Sequence, residues 1–149
     1  MIVAVGSDHA GFELKRELVN MVAGLGHQVV DMGTHSTEAA DYPDFARAVA
    51  REIVENRADR GLIICGSGVG ACVAANKVKG IRAGTCHDTF SARQGVEDDD
   101  MNALCLGARI IGVELAREVV RAFLAAKFSG LERHQRRLNK VLEIEKAGR

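Results

Sequence analysis

The sequence predicts an α/β domain: a parallel sheet of five strands with helices on both faces, closed by a long C-terminal helix. Three observations carry this expectation. Short apolar runs alternate with amphipathic stretches of helical period along the whole chain. The strand-like runs are continuously apolar rather than alternating, as in strands covered on both faces. Glycine is frequent, at 16 residues, and stands at the junctions, whereas Pro43 is the only proline. With 149 residues, 47% of them apolar, the chain suits a single domain over residues 1–149 with a substantial core. Neither a repeat nor a linker divides it.

The first strand is Ile2-Val3-Ala4-Val5, and it ends in Gly6-Ser7-Asp8-His9-Ala10-Gly11. Phe12, Leu14, Leu18, Met21, Val22 and Leu25 then recur at helical spacing, with Gly26 as the stop. Residues 27–32 hold the second strand, and a loop through Asp41-Tyr42 leads to Pro43, which opens the second helix. The third strand, residues 61–64, runs into Cys65 and the turn Gly66-Ser67-Gly68-Val69-Gly70, with a helix expected over 71–77. A shorter fourth strand spans 81–86, and Asp88 or Thr89 caps the helix after it. The acidic run Glu97-Asp98-Asp99-Asp100 is expected in a loop before the fifth strand, 103–106. Helices over 112–124 and 131–146 follow, the last with Arg133, His134, Arg136 and Arg137 near its start.

Lysine plus arginine equals aspartate plus glutamate, at 20 each, which argues against a general nucleic-acid or membrane-surface role. No apolar run is long enough to span a bilayer, and no basic segment precedes the first strand as in a signal peptide. The cysteines at 65, 72, 86 and 105 form no C-x-x-C pair. They are expected to be reduced thiols of a cytoplasmic protein, all but Cys65 serving as packing residues. No metal site is expected, because the acidic run has no histidine or cysteine at ligand spacing. The dinucleotide and Walker A fingerprints are both missing.

Open parallel sheets bind ligands at the carboxyl ends of their strands. The polar residues gather there: Asp8 and His9 after the first strand, Cys65 and Ser67 after the third, His87 after the fourth, Arg109 after the fifth. The turn from Gly66 to Gly70 offers backbone N–H groups to an anion at a helix start, and a thiol beside it is a usable base or nucleophile. Plainer readings stand beside these. Asp8 could cap the helix that follows it, and the glycines could serve only a tight turn. Tyr42 could be a surface residue or a pocket wall, and His87 could belong to a helix start. Arg133, Arg136 and Arg137 could form a solvated face, yet a helix N-terminus disfavours cations. An anionic partner would account for them, and guanidinium forks suit phosphate.

Several stretches together resemble the ribose-5-phosphate isomerase B family, whose superfamily includes the galactose-6-phosphate isomerase subunits. They are Ser7-Asp8-His9-Ala10-Gly11-Phe12-Glu13-Leu14-Lys15, Asp41-Tyr42-Pro43, Cys65 to Gly70, Ala74-Ala75-Asn76-Lys77 and Gly80-Ile81-Arg82-Ala83. Leu104-Cys105-Leu106-Gly107-Ala108-Arg109 and Arg133-His134-Gln135-Arg136-Arg137 complete a likeness that covers essentially the whole chain in order. It implies a Rossmann-like sheet and a homodimer, often paired into a tetramer, with active sites shared between subunits. It also implies aldose–ketose isomerisation of a phosphosugar with neither metal nor cofactor. By this resemblance Cys65 is the base that moves a proton between C1 and C2, and Ser67 assists. The amides of Gly66, Gly68, Val69 and Gly70 hold the enediolate. Asp8 and His9 match sugar-binding positions, Tyr42 a pocket position, and Arg109, Arg133 and Arg137 phosphate or sugar contacts, some reaching across the dimer.

One departure stands out. Glu97-Asp98-Asp99 occupies the place where family members usually carry Glu-His-Asn or Glu-His-Asp. The histidine that opens the furanose ring is thus Asp98 here, and Asp99 replaces the common asparagine; an ordinary aspartate is a poor proton donor at neutral pH. Three expectations follow from the resemblance. The first is a pentose 5-phosphate isomerase, of the ribose/ribulose type, whose ring opening is done by another group, His9 or Asp98, or occurs spontaneously. The second applies the same chemistry to a tetrose 4-phosphate, which cannot close a furanose. The third is a non-catalytic phosphosugar-binding subunit, against which the retained Cys65, Ser67 and arginines argue.

Overall fold

A computed structural model describes residues 1–148; Arg149, the last residue of the expected domain, lies outside them. The elements are β1 (Ile2–Ser7), α1 (Phe12–Gly24), β2 (Gln28–Asp31), α2 (Tyr42–Val54), β3 (Arg60–Cys65) and α3 (Val69–Ala75). They continue as β4 (Ala83–Thr85), α4 (Thr89–Asp99), β5 (Ala103–Gly107), α5 (Val113–Ala125) and α6 (Glu132–Ala147). Every strand pair is parallel, and the five strands lie in the order β2-β1-β3-β5-β4.

The apolar runs become central strands because both of their faces are covered. Val3, Val5, Leu62, Ile64, Leu104 and Leu106 point into one core layer with Leu14 and Leu18 of α1 and Val119 and Phe123 of α5. Their alternates, Ala4, Ile63, Cys65, Ala103 and Cys105, meet Ala46 and Val49 of α2 and Ala71 and Ala75 of α3 on the other face. Small side chains on this second face let α2 and α3 lie close to the sheet.

The strand order reverses between β1 and β3. From there β1 leads outward to β2, while β3 leads toward β5 and β4. The loops leaving β1 and β3 therefore part at their carboxyl ends and open a crevice. β4 is shorter than the sequence pattern predicts. Ile81 turns back, its N–H donating to Val78 O at 3.1 Å, and the Arg82 N–H donates to Asn102 Oδ1 at 2.8 Å. On the outer side of β4, the Ala83 N–H donates to Asn76 Oδ1 and Asn76 Nδ2 donates to Ala83 O, both at 2.9 Å. The side-chain amide thus occupies the open edge of the sheet. Among the described residues no helix is long and apolar enough to cross a membrane.

Candidate active site

β1 and β3 run in register as far as Ser7 and Ile64, and β3 and β5 as far as Cys65 and Gly107. The turns that follow therefore emerge side by side. They enclose a cavity of about 410 Å³ lined by Asp8, Tyr42, Cys65, Ser67, Arg109 and the backbone at Gly66 and Gly70. That volume is in the range of small-molecule sites.

Cys65 ends β3 and is buried, with its sulfur accepting the Gly68 N–H at 3.1 Å. The turn reaches this geometry through Gly68, whose φ of +80° favours glycine; a Cβ there would stand 2.9 Å from the Leu106 carbonyl carbon. Ser67 is exposed, and its Oγ accepts the Val69 N–H at 3.2 Å. Two N–H groups of the turn are thus aimed at its own sulfur and hydroxyl. α3 begins at Val69, earlier than the sequence suggests, and has only 7 residues. A helix this short contributes little dipole at the turn.

Tyr42 is the first residue of α2 rather than part of the preceding loop, with Pro43 directly behind it in the first turn. Its ring lies flat on the glycine turn, since a Cβ on Gly70 would come within 2.7 Å of its Cζ. Asp8 does not cap α1, whose N-cap is Gly11 with no side-chain cap bond. Oδ1 accepts the Gly11 N–H at 3.0 Å and fixes the turn into α1, while the residue also lines the cavity. His9 is half-buried beside it and does not line the cavity; its Nδ1 accepts the Ala40 N–H at 3.1 Å. Arg109 is exposed at the rim, and its backbone N–H donates to Gly66 O at 3.0 Å. Its guanidinium has no hydrogen-bond partner among the described residues and lies against Gly66.

His87 does more than begin a helix. Its Nε2 accepts the Gly107 N–H at 2.9 Å and braces the end of β5, where a Cβ on Gly107 would stand 2.6 Å from the Ser67 backbone. Thr85 Oγ1 adds a hydrogen bond to Gly68 O at 3.2 Å. The sequence signal for this support was the position of both residues at the end of β4.

Asp98, Asp99, Arg133 and Arg137 do not line this cavity. They form a second group where α4 meets α6. The acidic run is not a loop: Glu97, Asp98 and Asp99 make the last turn of α4, and only Asp100, at φ +51°, lies beyond it. Carboxylates oppose the dipole at a helix C-terminus, and side-chain partners offset this. Arg93 pairs with Glu97 and Arg82 with Asp100, each at 2.7 Å. Asp98 accepts from Gln94 Nε2 at 3.0 Å and lies 3.5 Å from His134 Nδ1, which in turn is 2.6 Å from Ser129 Oγ. Arg136 pairs with Glu132 at 3.0 Å, which accounts for that cation at the helix start. Arg133 and Arg137 are exposed and have no partner among the described residues.

Cys86 and Cys105 are buried packing thiols, and burial helps push Cys86 up to about 11. Cys72 packs against the core as expected, but with a shifted thiol. It is half-buried, and hydrogen bonds from Cys105 first, then Thr85 and Asn76, outweigh its burial and bring the thiol down to about 6. Among the described residues no three His, Cys, Asp or Glu side chains are grouped to hold a metal ion.

A buried sulfur beside directed N–H donors, with a cation at the rim, suits a small anionic substrate on which negative charge develops during reaction. Fold and site together define the class as an α/β enzyme acting on such a metabolite. The family described as Ribose/Galactose Isomerase matches residues 3–141. Ribose-5-phosphate isomerase B of Escherichia coli is 43% identical over 143 residues, covering 96% of this chain and 95% of that one. D-erythrulose-4-phosphate isomerase of Pectobacterium atrosepticum is 41% identical over 129 residues, covering 86% and 85%. The structure of Clostridium thermocellum ribose-5-phosphate isomerase B superposes with a TM-score of 0.97 at 45% identity, over 100% of both chains. This chain belongs to the ribose/galactose isomerase family and is a sugar-phosphate isomerase.

Proposed function

We propose that the enzyme interconverts the aldose and ketose forms of a small phosphosugar, of the ribose 5-phosphate and ribulose 5-phosphate type, with Cys65 as the base. The Cys65 thiolate removes the proton from C2 of the aldose, and the electrons of that C–H bond form the enediolate. The same thiol then returns the proton to C1. Ser67 carries the accompanying proton between O1 and O2, and the N–H groups of the glycine turn hold the oxyanion. Asp8, His9 and Tyr42 orient the sugar chain. The observation that carries this reading is the single cavity in which Cys65, Ser67, Asp8, Tyr42 and Arg109 meet. The relatives' activities support it.

In this reading the enzyme works as a homodimer, and Arg133 and Arg137 of one copy grip the phosphate in the other copy's cavity, alongside Asp98 and Asp99. Two observations support the sharing: these residues stand apart from the cavity of their own chain, and both arginines are without partners among the described residues. The test is isomerisation of ribose 5-phosphate, followed by ribulose 5-phosphate absorbance. Cys65→Ala should lower kcat roughly 1,000-fold or more at an unchanged unfolding temperature, and full activity in that variant would sink the base assignment. Mixing inactive Cys65→Ala with inactive Arg137→Ala protein should restore activity through hybrid dimers. No recovery after subunit exchange would sink the sharing.

The Asp98 geometry favours a second reading of the substrate. Its carboxylate accepts from Gln94 and is approached by His134, so its oxygens are already engaged within the chain. A tetrose 4-phosphate needs no ring-opening acid. Comparing kcat/KM for ribose 5-phosphate and erythrose 4-phosphate decides between the two. If ring opening limits the pentose, Asp98→His should raise that rate alone.

A further inference from the structure

Lys15 is the largest fully buried side chain among the described residues, and no step proposed above uses it. Its Nζ donates to Asp31 Oδ1 at 2.5 Å and to Thr34 O at 2.7 Å. The same Asp31 oxygen accepts the Gly33 N–H at 2.9 Å. Gly33 and Thr34 are in turn braced to the last residue of β1: Ser7 N–H donates to Gly33 O at 2.6 Å, and Thr34 N–H donates to Ser7 O at 2.7 Å. The next residue is Asp8. Its carboxylate holds the Gly11 N–H, and Gly11 O accepts the backbone N–H of Lys15 itself at 2.8 Å. The contacts close into a ring around one ammonium group. Beyond Thr34 the chain runs to Ala40, which clasps His9, and then to Tyr42.

Stability alone does not call for this arrangement. Lys15 is buried whereas Asp31 reaches the surface, so the ammonium is taken out of water at a cost of several kcal/mol that a half-solvated carboxylate only partly offsets. An apolar pair could fill the space, but it could not hold the Thr34 carbonyl and the Gly33 N–H in fixed places. We propose that Lys15 is a positioning residue: its buried ammonium sets the wall of the cavity that carries Asp8 and Tyr42, with His9 held behind it, and so sets how the sugar is presented to Cys65. This rests on reading the Cys65 cavity as the isomerase site.

The test compares Lys15→Met with the double variant Lys15→Met/Asp31→Leu in the full chain. Thermal unfolding, kcat and KM are measured, together with the rate at which iodoacetamide labels Cys65. The single variant takes the cation from Asp31 and the donor from Thr34 O and should unfold at a lower temperature. The double variant should regain the wild-type unfolding temperature. Its kcat/KM should nevertheless remain down about 100-fold, the scale of an ångström-level misplacement, and Cys65 should label faster. Recovery of activity and of Cys65 protection along with stability in the double variant would overturn the proposal. If the wild-type enzyme turned over neither ribose 5-phosphate nor erythrose 4-phosphate, the isomerase reading would fail, and the Cys65 labelling rates would still decide the role of Lys15. Should neither Lys15 variant fold, Asp31→Asn keeps the volume. A raised KM and faster Cys65 labelling at a near-normal unfolding temperature would support the proposal, and unchanged values would refute it.

Discussion

The two ends of the sheet carry polar cavities of comparable size, about 410 Å³ at the carboxyl end and about 540 Å³ at the amino end. They differ in what their polar groups are doing. At the amino end Asp59, Arg60, Arg82 and Asn102 are each committed to another part of the chain. Asp59 holds the Ile2 N–H at 2.6 Å, and Arg60 donates to the carbonyls of Phe123 and Ala126. Arg82 grips Asp100, and Asn102 bonds both Gly80 and Arg82. At the carboxyl end the Arg109 guanidinium is unpaired, Ser67 faces solvent, and Cys65 meets only a turn N–H. Size therefore does not distinguish the two ends; the commitment of these particular side chains does.

This contrast can be broken from either end. The largest effect is expected from Gly68→Ala, which forces a side chain into a left-handed backbone position and against Leu106. Isomerase activity should fall about 100-fold as the oxyanion donors move, with stability lowered by about 1–3 kcal/mol; retained activity would mean that the turn does not hold the oxyanion. Arg109→Ala comes next. It should raise KM about 10-fold with little change in unfolding temperature, since a charge-assisted contact to substrate is lost and no internal contact is. At the other end, Arg82→Met should cost about 1–2 kcal/mol in chemical denaturation through its lost bonds to Asp100 and Gly80, and leave kcat/KM unchanged. A fall in kcat/KM there would erase the distinction between the two ends. The smallest effect concerns Cys72, between them on α3. Its thiol sits near 6, below the ordinary thiol value, so the thiolate predominates at pH 7 and is lost below pH 6. Iodoacetamide should label Cys72 with that pH profile, while Cys86, near 11, stays a thiol and unlabelled at pH 7. Peptide mass analysis reads both.

Much of this was legible because the informative signals were local. The apolar runs at β1 and β3 and the glycine turn after Cys65 announce themselves within ten residues or fewer. Three features were not legible, each because its partners are distant in sequence. Lys15 falls among the polar positions of an amphipathic helix; what buries it is Asp31 on the next strand. The acidic run looked like a loop because its compensation comes from Arg82, Arg93 and His134, on three different segments. β4 lost its first two residues because the Asn102 side chain competes for the Arg82 N–H. The site residues followed the same division. The group around Cys65 lies at neighbouring strand ends and assembles within one chain, whereas Asp98, Asp99, Arg133 and Arg137 do not join it there.

The Asn76 amide at the margin of β4 bears on how copies of this chain can meet. Its donor and acceptor match those of Ala83 as another strand's backbone would, so the outermost ladder positions are filled by the molecule itself. A passing chain finds no template there for strand addition. Loss of that one amide would open a route to irregular, concentration-dependent growth along the sheet.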